Sequence, residues 1–220
     1  TAVVVGVEKM SDQSPVLALA KALDGRYEVL EGATMLSQNA QIMQLYCDQY
    51  GISPDRFAGF ALNAHRNARH NPIALFHDKV VTEETVLNSR FIVPPLRLYD
   101  CAPICDGAAA VVLAPTDEAR RYSDLPIRIL ASTAATDRFR LADRPEPLHL
   151  RAAERSARRA FQQAGLTLED VDFFELHDAF SIMACLQLEA VGFAEPGTGW
   201  RLAAEDEIGL QGRIPIATLG

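Results

Sequence analysis

The sequence predicts a layered α/β fold, with helices over a mixed, mostly parallel sheet. Three stretches carry that expectation. Residues 1–7 are a largely β-branched run without polar alternation, the pattern of a strand covered on both faces. Residues 107–113 read as a second buried strand. Residues 171–192 read as an apolar strand over 171–176, a sharp turn at His177 and Asp178, and an apolar helix from about Ala179. Strands that hand over to helices at their carboxyl ends are where open α/β sheets place their ligands.

Taken in order, the strand at 1–7 is followed by a mixed stretch with a short helical pattern over 16–23, closed by Gly25. Residues 33–50 are expected to form an amphipathic helix ended by Gly51. Its Met35, Met43 and Tyr46 read either as core or as the lining of an acyl pocket. The next helix has Ser53 as N-cap, Pro54 at the first position and Asp55 at the positive end. Its outer side and end carry Arg56, His65, Arg66, Arg69 and His70, a basic cluster in an acidic chain. Two readings stay open for it: a solvated face, or a grip on the phosphates of a nucleotide-like ligand.

Residues 92–95 are extended and end in paired prolines, and 115–122 read as a short surface helix. A strand is expected at 127–135. A helix is expected over 148–164, with Ala153, Ala157 and Phe161 inside, Arg155, Arg158 and Arg159 outside, and Gly165 as the stop. The segment after residue 195 is loop-rich, with one strand-like run near Ile214.

Composition bounds the function. The chain has 220 residues, 49% apolar and 23% charged, with a formal net charge of -8. That balance argues against nucleic acid or an anionic membrane surface as the main partner, since both need a basic stripe. Cys47, Cys101, Cys105 and Cys185 are scattered without a CxxC pair, which points away from zinc and toward a reduced, cytoplasmic chain. No apolar run reaches membrane-spanning length. The chain opens inside an apparent strand, and it is expected to be a piece cut at both ends from a longer protein.

The turn at 177–178 is the candidate site. Asp178 is placed to cap the following helix, which would pin His177 on a rigid element. By spacing alone, His177 is either a satisfied structural histidine or a functional one. The box Glu175-Leu176-His177-Asp178-Ala179-Phe180 resembles the HDAF/HDCF box of the sterol-carrier-protein-type and archaeal-type thiolases. Three further blocks agree in order: Val3 to Ser11 is similar to a VGxEKM strand end, Asp106 to Leu113 to a DGAAAVVL strand, and Gly212 to Ile216 to the approach to a glycine-rich closing motif.

The resemblance implies a thiolase-like layered fold with an inserted helical loop subdomain. Residues 1–10 and 106–116 would be strands of the first half, 11–105 the loop subdomain, and 125–220 part of the second half. It implies thioester exchange with carbon–carbon bond formation or cleavage on acyl-CoA, with coenzyme A as substrate and no metal. His177 matches the position that helps build an oxyanion hole, Asp178 would support the turn, and Phe180 would shape the acyl side. Ala102 and Pro103 fall in the loop near the pantetheine arm, and Arg66 and Arg69 in the region that forms much of the coenzyme A site. The family's nucleophilic cysteine is expected before Thr1, and its Gly-His-Pro histidine and second cysteine after Gly220. The 220 residues alone are therefore expected to be inactive. Two other functions stay open: a thiolase-fold aldolase for β-hydroxyacyl-CoA steroid side chains, working with an OB-fold/zinc-ribbon partner, and a non-catalytic acyl-CoA or lipid-binding subunit. A homodimer is expected by analogy with the family.

Overall fold

The computed structural model describes residues 1–12 and 14–220. Strand β1 (Ala2–Glu8) pairs antiparallel with β4 (Gly107–Leu113), in a register that sets Ala2 opposite Leu113 and Glu8 opposite Gly107. The chain between them carries α1 (Pro15–Leu19), α2 (Met35–Tyr50), α3 (Ala58–Ala68), α4 (Glu83–Leu87) and a small hairpin, β2 (Phe91–Val93) and β3 (Leu96–Arg97). After β4 come α5 (Arg151–Ala164), α6 (Ser181–Val191) and α7 (Gly199–Ala204).

Local chemistry explains the helix ends. Thr34 caps α2 by accepting from Ser37 N–H, and Gly51 stops it in the left-handed region at φ 65°. Ser53 accepts from Asp55 N–H at the start of a 3₁₀ turn, Pro54–Phe57, that feeds α3. Gly165 ends α5 at φ 68°. The outer arginines of α5 are exposed as expected, whereas its alanine face is only half-buried.

The core lies where α2, α3, α6 and α7 meet. Helix α6 is apolar almost all round, which suits a helix covered on several sides. Its Ile182, Cys185, Leu186 and Leu188 are buried, against Met43, Tyr46 and Phe57 from the α2–α3 unit. Met43 and Tyr46 are thus core rather than pocket lining. Tyr46 Oη donates to Glu189 Oε1 at 2.5 Å and Gly199 N–H donates to the same oxygen at 2.9 Å, tying α2, α6 and α7 together. Helices α3 and α7 cross so closely that a Cβ on Gly59 would sit 2.7 Å from the Ala203 carbonyl oxygen.

The residues after α7 run back along α3. Asn63 donates to Ile216 O at 3.0 Å, Asn67 to Ile216 O at 3.1 Å and Ala217 O at 3.0 Å, and Asn71 to Leu219 O at 2.9 Å. Asparagine gains little inside a helix. At a spacing of four, Asn63 and Asn67 lay donors along one face of α3, and Asn71 continues the row just beyond its end. Together they hold residues 216–219, whose strand pairing among the described residues is the single bridge from Ile216 to Phe174.

Several expectations are corrected. Among the described residues both ladders are antiparallel, and parallel pairing is confined to the bridge between Phe174 and Ile216. Residues 127–135 carry no ladder among the described residues, and 171–176 pair only through Phe174, whose N–H donates to Pro215 O at 2.8 Å beside the bridge to Ile216. The Ile214 run contributes only that bridge. Every residue of β1 and β4 is exposed, so the run at 1–7 is not covered on both faces here. Residues 115–122 contain only a 3₁₀ turn, Ala119–Arg121.

Gly59→Ala is expected to destabilise the chain by about 1–3 kcal/mol, since backbone cannot yield as a flexible side chain does. A lowered urea midpoint checks it.

Candidate active site

The turn that carries His177 is fixed from three directions. The first is the 98–103 loop. Ala102 N–H donates to Ala179 O at 2.9 Å, and Cys101 forms an isolated antiparallel bridge with Phe180. Ser181 Oγ donates to Asp100 Oδ1 at 2.5 Å, while Arg97 N–H donates to Asp100 Oδ2 at 2.8 Å. Burial pushes the Asp100 carboxyl up, and the bonds from Ser181 and Arg97 pull it back. The second brace is Glu175, which accepts from Thr218 N–H at 2.8 Å and from the Thr218 hydroxyl. The third is Gln187 on α6, whose amide bonds the His177 backbone.

His177 itself is exposed, and its ring makes no hydrogen bond among the described residues. It is not a satisfied core histidine. Asp178 is half-buried, and burial raises its carboxyl above the usual carboxylate range, with the Glu175 charge adding to the rise and His177 opposing it. Asp178 does not cap α6. The N-cap is Phe180, at φ -143° and ψ 145°, so Asp178 stands two residues too early to reach the first-turn N–H groups. Phe180 is buried, and its ring belongs to the core.

Ala102 and Pro103 are exposed beside this turn, so the structure brings the predicted loop residues and the histidine box together. The arginines lie elsewhere. Arg66 pairs with Asp206 at 2.7 Å, at the edge of a cleft of about 600 Å³ that also holds Arg56, Asp55 and Glu83. Arg69 is exposed and has no carboxylate partner among the described residues. His65 turns inward against Phe76 and Tyr99, with ring centroids 5.1 and 5.4 Å away, and burial lowers its pKa. The predicted basic face is thus divided. The largest cavity described, about 1190 Å³, lies between α2, α5 and α6 and is not lined by His177.

Three of the cysteines are not poised as thiolates. Burial pushes Cys47 and Cys101 up to about 11 and Cys185 well above the ordinary thiol value. Among the described residues, no group of three His, Cys, Asp or Glu side chains could hold a metal ion.

Comparison with known proteins decides the family. Residues 1–117 match the profile of the thiolase N-terminal domain, and residues 133–220 match that of the thiolase C-terminal domain-like family. The chain belongs to the thiolase family. An acetyl-CoA acetyltransferase of Methanothermobacter thermautotrophicus is 41% identical over 98% of this thiolase chain and 56% of its own length. A 17-hydroxy-3-oxo-4-pregnene-20-carboxyl-CoA lyase of Mycobacterium tuberculosis is 33% identical over 86% of the chain and 50% of its own length. The solved structure of an Ltp2-ChsH2(DUF35) aldolase superposes with a TM-score of 0.86 at 26% identity, over 99% of the chain and 58% of that one. The chain spans about half the length of the curated relatives it matches. The thiolase fold expected from the sequence is therefore borne out, although its sheets here are small.

Sequence reasoning missed Gln187, Glu175 and the Asp100–Ser181 tie. None left a local signal, because each bonds a partner ten to eighty-one residues away. The asparagines at 63, 67 and 71 were legible as a helical spacing and were not singled out.

The raised carboxyl of Asp178 fixes a sign. The folded state holds that proton more tightly than the unfolded chain, so this contribution is complete below the ordinary carboxylate pKa and is lost as pH rises through the raised value. Asp178→Asn should flatten the fall in stability over that window, as read from urea midpoints measured from acid to neutral pH.

Proposed function

We propose that these residues supply the oxyanion-hole and coenzyme A-loop part of a thiolase-type acyl-CoA acyltransferase, which exchanges a thioester while making or breaking a carbon–carbon bond. The observation that carries this is the Ala102–Ala179 backbone bond, which sets an exposed small-residue loop against an exposed histidine held on a rigid turn. In this reading the pantetheine arm runs along Ala102 and Pro103, and the thioester carbonyl reaches His177. The imidazole donates to the oxygen as negative charge grows on it, directly or through water. Asp178 supports the turn, and Phe180, its ring packed in the core, backs the acyl side from beneath. The phosphates reach the outer flank of α3, where Arg69 is better placed to meet them than Arg66, already neutralised by Asp206.

The nucleophile and the proton-moving groups of this chemistry lie outside the four cysteines here, three of which are held protonated. The proposed protein works in the cytoplasm as a homodimer.

A second reading is favoured by one observation, the TM-score of 0.86 with the Ltp2-ChsH2(DUF35) aldolase. Under it, the same turn stabilises the enolate of a retro-aldol cleavage of a β-hydroxyacyl-CoA, in complex with an OB-fold partner. The chemistry common to both is an enolate beside a thioester carbonyl.

The test is His177→Ala in the complete polypeptide. Loss of one oxyanion donor is expected to cut kcat for acetoacetyl-CoA thiolysis about 10²–10³-fold. Cleavage of a steroid β-hydroxyacyl-CoA without thiolysis would select the second reading, and turnover unchanged by the substitution would remove both. The 220-residue chain alone is expected to release no acetyl-CoA from acetoacetyl-CoA in the same assay.

A further inference from the structure

The backbone of His177 has no strand beside it among the described residues. Residues 175–178 carry no ladder, so the N–H and C=O of His177 need partners from elsewhere. One side chain meets both needs. Gln187 Oε1 accepts from His177 N–H at 3.3 Å, and Gln187 Nε2 donates to His177 O at 2.7 Å. The same nitrogen donates to Met183 O at 3.0 Å, one turn back on α6, which restricts the side chain to a single pose. A lone carboxamide thus stands where a neighbouring strand would otherwise pair.

The helix that presents it is well anchored. Ile182, Leu186 and Leu188 are buried in the core, whereas Gln187 lies half-buried on the flank that faces the turn. Removing its amide empties no core volume. We infer that Gln187 is the residue that positions His177, holding the histidine's peptide so that the ring projects at the reacting thioester. This rests on His177 acting on the thioester as proposed above.

The residue type follows from the geometry. A carboxamide offers a donor and an acceptor in one plane, as a peptide does. A carboxylate there offers two acceptors and sets its charge against the His177 carbonyl. A thioether of similar length bonds neither group. Either change removes the bond to His177 O and loosens the backbone there, and a catalytic group displaced by about 1 Å can lose on the order of 10²-fold in rate.

The experiment compares Gln187→Met, Gln187→Glu and His177→Ala in the complete polypeptide, by steady-state thiolysis of acetoacetyl-CoA and by amide hydrogen exchange at His177. Both Gln187 variants are expected to lower kcat by at least about tenfold while KM for coenzyme A stays within about twofold, because positioning of the ring acts on the transition state more than on substrate binding. His177 amide exchange should quicken in Gln187→Met, where the N–H loses its acceptor, more than in Gln187→Glu, which keeps an acceptor and loses the bond to His177 O. The urea midpoint of Gln187→Met should stay close to that of the unaltered protein. If Gln187→Met does not fold, Gln187→Glu carries the comparison. Unchanged kcat in a folded Gln187 variant, where His177→Ala has lost activity, overturns the inference and leaves the functional reading standing. A rise in KM alone overturns it too. Full turnover in His177→Ala sinks the functional reading instead, and unaltered exchange at His177 in Gln187→Met then overturns the clamp as well.

Discussion

The proposed functional face depends on one join, the short antiparallel contact between residues 100–102 and 179–181. A loop from the first part of the chain and a helix start from the second are held there by a backbone bond, a bridge and the buried Asp100–Ser181 pair. The buried carboxylate makes the join selective. Asp100 is tolerated inside only while Ser181 and Arg97 N–H satisfy both of its oxygens, so the two segments meet in one register or not at all. A slip of one residue would separate Ala102 from Ala179 and move the exposed loop away from His177.

That join is carried by a helix with few alternatives. Helix α6 is apolar on nearly every side, and α2, α3, α5 and α7 pack around it. Close approaches at Gly59 and Gly199, with the shared Glu189 oxygen, fix its place among them. Rigidity at the core is passed outward by polar contacts: Gln187 to the His177 peptide, Glu175 to Thr218, and the asparagine row of α3 to residues 216–219. The histidine is therefore an exposed side chain on a hydrogen-bonded base.

What the letters reveal about such a molecule is uneven, for physical reasons. Helix ends were legible because capping and left-handed stops are local, as at Ser53, Gly51 and Gly165, whereas the Thr34 cap of α2 was not named. The family was legible because four boxes stand in order, the histidine box among them. Strand burial was not legible. A β-branched run announces that it suits a covered strand, but the covering layer is a matter of other segments, and β1 and β4 lie exposed. The Asp178 cap failed for a smaller reason: the first helical turn begins at Ser181, and a shift of two residues takes a short carboxylate out of reach. The basic cluster around α3 failed as a unit because helical spacing cannot tell that His65 turns in while Arg69 turns out.

The central claim is a location, the loop at 101–103 against the turn at 177–180. A structure with coenzyme A bound tests it most directly. The account predicts the pantetheine arm alongside Ala102 and Pro103, with its sulfur end within hydrogen-bonding reach of the His177 ring. Coenzyme A seated instead in the cavity of about 1190 Å³ between α2, α5 and α6, with His177 facing only solvent, would contradict it.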